Sequence, residues 1–480
     1  MMRATSLAYD VAERARGMMA GGIGAMLMLA RRVGLVREID RRLHLLKVHL
    51  PYHESDHVLN VAFNVLAGGR CIEDLELLRQ DEVYLDALGA QRIPDPTTAG
   101  DFCRRFGEHH VEVLLDVVND CRLRVWAQQP REFFAEAVID ADGTLAPTLG
   151  ECKEGADFAY TGEYGYHPLV ISLANTQEPL FLVNRSGNRP SHEGAATRLD
   201  QAVALCRRAG FRKALLRGDT DFSQTRHLDR WDDDGVRFLF GIGRNQALFA
   251  RTAEIPESDW RTLARPPKYE VATEPRQRPE NVKERVVRER GFESKRTEGE
   301  QVASFEYQPV ACSRPYRIVV LRKNLTISRG EHALIDDLML FFFITNDRKT
   351  SAADLVLQAN ARCNQENLNA QLKSGVGALE MPVGDLVANW AYMVMASLAW
   401  TLKAWFALLL PARGPWADRH RDERDRVLRM EFRSFLRAFM LVPVQVVRTG
   451  HRVIYRLLGW NPWQHVLLRA VGALAQPLRI

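Results

Sequence analysis

Two short apolar runs in this chain end in acids. Phe134 to Ile139 leads into Asp140 and Asp142 in the stretch VIDADGT, and Ala214 to Leu216 leads through Arg217 and Gly218 into Asp219, Thr220 and Asp221 in RGDTDF. Acids are poor strand formers and costly to bury. A strand with an acid at its tip therefore either stops there, the acid capping the next helix, or aims a carboxylate at something.

The surrounding pattern predicts a mixed α/β sheet. Leu169–Leu173 and Leu180–Val183 read as two strands joined by a polar turn at Asn175 to Glu178. His192 to Arg208 has one apolar helical face through Ala195, Leu199, Val203 and Cys206. The RGDTDF strand follows, then an expected helix from Phe222 to Trp231 and a strand at Val236–Gly241. Charge and proline are dense from Pro266 to Arg296, which marks residues 243–324 as a β-rich insertion with its own small β-structure. Leu338–Thr345 (LMLFFFIT) reads as a buried strand, and Ala352 to Lys373 as one long helix. The first 130 residues read as helical. Ser55 and Asp56 cap a helix that Gly68-Gly69 ends, and Pro94-Asp95-Pro96-Thr97-Thr98 is a turn and cap before a helix closing on Arg104, Arg105 and Phe106. Short helices, tight turns and a terminal arginine pair suit a helix-turn-helix-like DNA module, and a plain helical bundle shows the same pattern.

Composition narrows the function classes. Hydrophobic content of 46% and charged content of 26% are those of a globular protein, and the net charge of +5 is mild. The charge is unevenly spread: Pro411 to Ile480 holds 13 arginines against five acids, a surface that phosphate backbones attract. Seven scattered cysteines, none in a Cys-x-x-Cys pair, exclude a disulfide framework and a zinc site and point to a reducing compartment. Leu386–Leu402 is the best membrane candidate, but Asn389, Ser397 and Thr401 interrupt it and Lys403 stops it short, so it reads as a buried helix. Residues 381–480 are expected to be helical and basic.

A third acid, Glu366, lies on the late helix in ARCNQENLNAQLKSG. Two strand-end carboxylates and one from a helix across the sheet can converge on a point, where they would repel each other unless cations sat between them. Two Mg²⁺ ions about 4 Å apart would serve, activating a water and stabilising a leaving oxygen in phosphoryl transfer. An oxygen-only donor set favours Mg²⁺ or Mn²⁺ over Zn²⁺. Any one strand-end Asp is more often structural; the joint placement raises the chemical reading. The first ligand is Asp142 or Asp140, which share a strand face. Asp142 is preferred because it lies at the tip, with Asp140 either a buried acid supporting it or a partner for Arg217. Asp221 reads as a helix cap. Arg362 and Lys373 share the face of Glu366 and would grip DNA phosphates or pair with nearby acids.

The spacing Arg362-x3-Glu366-x6-Lys373 resembles part of the signature of DDE transposases from bacterial insertion sequences. VIDADGT resembles their first Asp motif, and RGDTDF the RGDSGF form of their second. Tyr164–Leu169 (YGYHPL) and Ile93–Thr98 (IPDPTT) resemble one branch, the insertion-sequence thirteen-eighty family. The tyrosine that the signature places three residues before the arginine is replaced by Ala359. The resemblance implies an RNase H-like catalytic core, built from residues 131–242 and 325–380 and interrupted by the insertion at 243–324. Residues 1–130 would be a helical end-binding region. It further implies Asp142, Asp219 and Glu366 as metal-binding catalytic residues, Mg²⁺ with Mn²⁺ able to substitute, and cleavage and transfer of DNA at terminal inverted repeats. Each subunit of a dimer would grip one DNA end, in bacterial cytoplasm at the nucleoid, with no membrane. In related transposases the insertion supplies an aromatic that stacks on a flipped base; Trp260 is the candidate here, with Tyr269 and Phe292 as substitutes, against the plainer role of packing the insertion. The competing functions are a transposase-derived DNA-binding protein that no longer cuts and a hydrolase with paired carboxylates, such as a glycosidase.

Overall fold

The computed structural model describes residues 16–266, 281–329, 332–449 and 452–478. A short strand β1 (Gly17–Met18) precedes helices, among them α1 (Glu54–Leu66), α2 (Pro96–Arg104) and α3 (Glu108–Trp126). The Asp95 side chain caps α2 by accepting from the N–H of Thr98 at 2.8 Å. Then β2 (Ala137–Gly143) begins a large sheet. Its other strands are β6 (Leu169–Leu173), β7 (Glu178–Val183), β8 (Ala214–Gly218), β9 (Arg237–Gly241), β10 (Arg261–Thr262), β11 (Glu293–Tyr307), β12 (Tyr316–Arg329) and β13 (His332–Thr345). A small side sheet, β3 (Ala146–Pro147), β4 (Asp157–Phe158) and β5 (Tyr164–Tyr166), branches off after β2.

The nine strands run in the order β10-β11-β12-β13-β9-β8-β2-β6-β7. β2 pairs antiparallel with β6 and parallel with β8, and β8 pairs parallel with β9. Between β7 and β8, α4 (Ala195–Ala209) crosses one face. β6 and β8 are buried along their whole length, as strands covered on both faces must be.

Several elements depart from expectation. Arg131–Phe134 is a 3₁₀ turn whose Phe133 and Phe134 rings pack on Phe211, so β2 starts later and extends through both acids. The helix expected from Phe222 to Trp231 is two 3₁₀ turns and a helix over Leu228–Asp233. The strands of the insertion do not form a separate small structure. β10, β11 and β12 extend the main sheet, joined through β13, whose Phe343–Thr345 end pairs with β9. The long late helix is two, α5 (Ala352–Asn360) and α6 (Cys363–Ala370), followed by a π-helical turn over Gln371–Gly375.

The C-terminal region is not wholly helical. α7 (Leu386–Leu408) and α8 (Ala417–Arg429) are followed by a hairpin, β14 (Val444–Thr449) and β15 (Arg452–Leu457), then α9 (Gln464–Leu474). In β14 Val444 and Val446 alternate into the core, and β14 pairs with β1. The two ends of the chain therefore fold together. α7 is long and apolar enough to span a membrane, yet its most apolar 18 residues are all buried in the fold. Lys403, expected to end that apolar stretch, lies fully buried inside α7 over the Trp400 ring, and its Nζ donates to Leu428 O at 2.8 Å.

The polar link among these layers is Glu178, which has no exposed surface. Arg122 of α3 donates to it at 3.0 Å, Trp126 Nε1 at 3.0 Å and Trp405 Nε1 of α7 at 2.8 Å. Removing one partner of such a buried pair leaves the other charge unpaired, at about 3–5 kcal/mol. Glu178→Ala should lower unfolding free energy by about that much, measured in urea, whereas Leu77→Ala on the exposed surface should leave the midpoint unchanged. An unaltered midpoint for Glu178→Ala would show that the link is not what joins the layers.

Candidate active site

The acids at the two strand tips meet different fates. Asp140 is 1% exposed and receives both Arg217 Nε at 2.7 Å and Arg217 Nη2 at 2.8 Å. Arg217 also donates to Gln358 O at the end of α5, at 2.7 Å. Both oxygens of Asp140 are thus engaged in a buried fork-like pair. Asp142, two residues further along β2, accepts from Asn369 Nδ2 of α6 at 2.8 Å. Gln365, one turn earlier on α6, receives the Ser172 hydroxyl of β6, which fixes the helix across the strands.

Asp219 follows β8 directly. Its Oδ1 accepts from the N–H of Asp221 at 2.9 Å, so Asp219, not Asp221, caps the short 3₁₀ turn. Two glycines make room for it. A Cβ on Gly218 would come within 2.6 Å of the Phe222 Cβ, and one on Gly241 within 2.9 Å of the Thr220 backbone nitrogen.

The break between α5 and α6 falls at Arg362, so Arg362, Glu366 and Lys373 do not share the face of one regular helix. The break turns Arg362 inward. Its Nη2 lies 3.8 Å from Asp219 Oδ2 and its Nη1 donates to Ala141 O, beside Asp142, at 3.4 Å. Glu366 is exposed and lines a cleft of about 290 Å³ with Asp219, Arg362, Arg244 and Phe341. Lys373 sits in the π-helical turn, where burial lowers its pKa against the opposing pull of Glu163 and Asp142.

Burial, opposed by Arg362 and reinforced by the charges of Asp219 and Glu366, pushes the Asp142 carboxyl up to about 6. Burial also raises Asp219, again against Arg362, and raises Asp140 despite Arg217. The charges of Asp219 and Glu366 therefore reach Asp142, against the opposing pull of the Arg362 guanidinium. The three acids do not already share a single point: among the described residues, no group of three or more His, Cys, Asp or Glu is gathered closely enough to hold a metal ion. The donors are all hard oxygens, and an underneutralised Asp142 is the kind of ligand a divalent cation relieves.

The other expected site residues lie elsewhere. Arg104 pairs with Asp101 at 2.7 Å on the exposed end of α2, and Arg105 is exposed beside it. Trp260 is 8% exposed, with the Arg322 guanidinium 4.0 Å over its ring, so it packs the sheet in the plainer of its two roles. Phe292 is exposed just before β11, and Tyr269 lies outside the described residues. Asn369 and His167 escaped sequence reasoning. His167 is buried, with Nδ1 2.9 Å from Arg189 O, and a Cβ on Gly143 would come within 2.8 Å of its Nε2. The i, i+4 amides Gln365 and Asn369 flanking Glu366 were the readable signal for Asn369; the lone histidine offered none.

A mixed sheet that delivers acids from two parallel strand tips and a crossing helix is the frame of a carboxylate-dependent nuclease or transposase. The chain belongs to the family Transposase DDE domain group 1, whose sequence model matches residues 17–478. Among solved structures, one similar to this chain is a piggyBac transposase synaptic complex with hairpin DNA, seen by cryo-EM. It is 11% identical over 89% of this chain and 82% of that one, with a TM-score of 0.36. No curated protein matches in sequence.

The Asp142 shift has a consequence for stability. Its folded pKa lies above its unfolded value, so between about pH 4 and 6 the folded chain keeps a proton that the unfolded chain releases. Stability falls as pH rises through that window and stays lower above it. An amide still accepts from Asn369 and carries no charge. Asp142→Asn should therefore be more stable than wild type at pH 7 by about 1–3 kcal/mol in EDTA, discounted for partial exposure, and the gap should close below pH 4. Equal or lower stability of the variant at pH 7, read by urea unfolding, would contradict the strain assigned to Asp142.

Proposed function

We propose that this chain is a cut-and-paste DNA transposase that binds the terminal inverted repeats of its own element. Asp142, Asp219 and Glu366 are its catalytic carboxylates, on an RNase H-like core of the bacterial insertion-sequence type. The observation that supports this reading is that Asp219 and Glu366 line one cleft with Arg362, whose Nη2 lies 3.8 Å from Asp219 Oδ2 and whose Nη1 donates to Ala141 O beside Asp142. Asp140 is set aside because Arg217 occupies both its oxygens. The same three carboxylates would hold Mg²⁺, with Mn²⁺ able to substitute. Bound there, such ions would provide an activated water and stabilisation of a leaving 3′ oxygen.

The remaining roles belong to side chains around the cleft. Asn369 holds Asp142 in its rotamer, and the kink at Arg362 places a guanidinium where a phosphate would arrive. Lys373, half-buried in the π-helical turn that follows α6, adds positive charge. Arg104 and Arg105 at the end of α2 belong to the end-binding surface, and the arginines of α8 and the β14–β15 hairpin to backbone contacts. Two subunits would each hold one DNA end, at the nucleoid of a bacterial cytoplasm.

Asp142→Asn, Asp219→Asn and Glu366→Gln should each reduce cleavage of a duplex carrying the element's ends to background while leaving its binding unchanged. Raising salt from 50 to 200 mM should weaken that binding by about 10³-fold or more, as phosphate-dominated contacts do. Cleavage that survives any of the three changes would remove that residue from the catalytic set. Intact binding with no cleavage by the wild-type chain would favour a DNA-binding derivative.

A further inference from the structure

Two cavities that share no lining residue with the carboxylate cleft adjoin one another, since Gln129, Pro130, Leu408 and Arg424 line both. The first, of about 640 Å³, is lined by four arginines and by no acid. Arg32 ends the helix Ile23–Arg32, Arg413 lies in the link between α7 and α8, and Arg421 and Arg424 stand on α8. Arg421 pairs with Asp418 and Arg424 with Asp425. Arg32 and Arg413 pair with no acid among the described residues. Arg32 Nη2 donates to Pro477 O at 3.3 Å, but its Nε is buried with no hydrogen-bond partner. Guanidiniums gathered without matching carboxylates repel one another. A phosphate relieves that repulsion and accepts two N–H bonds from a planar fork.

The second cavity, of about 740 Å³, has a different character. Its charges balance, Glu132 and Asp425 against Arg424 and Arg429, and Phe133, Leu408 and Leu428 give it an apolar wall. Two polar atoms of its lining residues are unsatisfied: Thr176 Oγ1 and Gln177 Oε1 are buried with no hydrogen-bond partner. Thr176 is 1% exposed. Gln177 has φ +57°, in the left-handed region that strains a residue with a side chain, and its carbonyl accepts from Trp400 Nε1 at 2.6 Å. Strained backbone and unpaired buried polar atoms gather at ligand sites more than in ordinary packing. Each cavity falls in the range of roughly 300–1,000 Å³ that holds small molecules. One chamber is positive and the other neutral with an apolar wall, which is the division of a nucleoside polyphosphate into charged chain and flat base.

We propose that the joined cavities bind a nucleoside polyphosphate, its phosphates among Arg32, Arg413, Arg421 and Arg424 and its base beside Thr176 and Gln177. A DNA duplex suits the site less well, because its phosphates lie along a convex ridge and its bases are stacked inside. The bound ligand would reach the helix of the cleft: Asn364 lines the second cavity two residues before Glu366 on α6. The inference does not rest on the transposase reading.

The test is isothermal titration of the full-length chain, in EDTA and without DNA, with ATP, GTP and pyrophosphate. ATP or GTP should bind about 10-fold or more tightly than pyrophosphate, which lacks the base. Arg32→Gln and Arg413→Gln should each weaken nucleotide binding about 10-fold, as loss of a charge-assisted hydrogen bond does. Arg413 is exposed, so that variant should keep the wild-type melting temperature, and its affinity for a random-sequence duplex should be unchanged. Gln177→Gly keeps the left-handed backbone and removes the amide. It should lower nucleotide affinity and leave pyrophosphate affinity unaltered. No binding of either nucleotide at about 1 mM would overturn the inference. So would pyrophosphate binding as tightly as both nucleotides. An equal loss of nucleotide and duplex binding in Arg413→Gln would assign the arginines to DNA backbone and overturn it as well. Each of these results leaves the roles given to Asp142, Asp219 and Glu366 standing.

Discussion

One carboxylate with no access to water ties a helix before the central sheet and a helix after it to that sheet. Glu178, at the start of β7, is met by Arg122 and Trp126 from the helix before the sheet and by Trp405 from the long helix after it. A buried charge is tolerable only when its oxygens are fully engaged, so those helices must lie where they do. The constraint passes inward through hydrogen-bonded strands. β7 sets β6, β6 pairs Val170 with Asp142 on β2, and Ser172 of β6 holds Gln365 of the helix carrying Glu366. Helices of the N-terminal and C-terminal regions are accordingly hydrogen-bonded to the scaffold that sets the acids.

Within that scaffold two acids on one strand are treated in opposite ways. Asp140 is neutralised by a bidentate guanidinium and ties β2, β8 and the end of α5 together. Asp142 is given one amide donor and two like-charged neighbours, and its carboxyl is pushed up to about 6. Such partly satisfied charges are unfavourable to folding and cluster where chemistry is done. The inward turn of Arg362 offsets part of the repulsion, and it is the break between α5 and α6 that permits it.

The sequence was most legible where period and boundary signals were strong. VIDADGT and ALLRGDTDF announced strands that end near acids, and LVISL was bounded correctly. The Asp140–Arg217 pair was foreseeable because both residues sit at the tips of adjacent parallel strands. Other features depended on contacts distant in sequence. Glu178 looked like a turn residue, since its partners are 52 to 227 positions away. The helix break at Arg362 carried no glycine or proline to mark it, and the contacts that Arg362 makes beside it, to Asp219 and Ala141, lie far away in the chain. The insertion read as separate because its charge and proline density obscured strands whose partner, β13, comes later in the chain.

The central claim is that Asp142, Asp219 and Glu366 together cut DNA with the help of a divalent cation. Its most direct test is to incubate the full-length protein with a duplex carrying the element's ends, labelled on either strand, and to determine the chemistry of the new termini. The account predicts breaks bearing a 3′ hydroxyl, formed with Mg²⁺ or Mn²⁺ and abolished by EDTA. Breaks that persist in EDTA, or a covalent protein–DNA adduct at the cut, would contradict it.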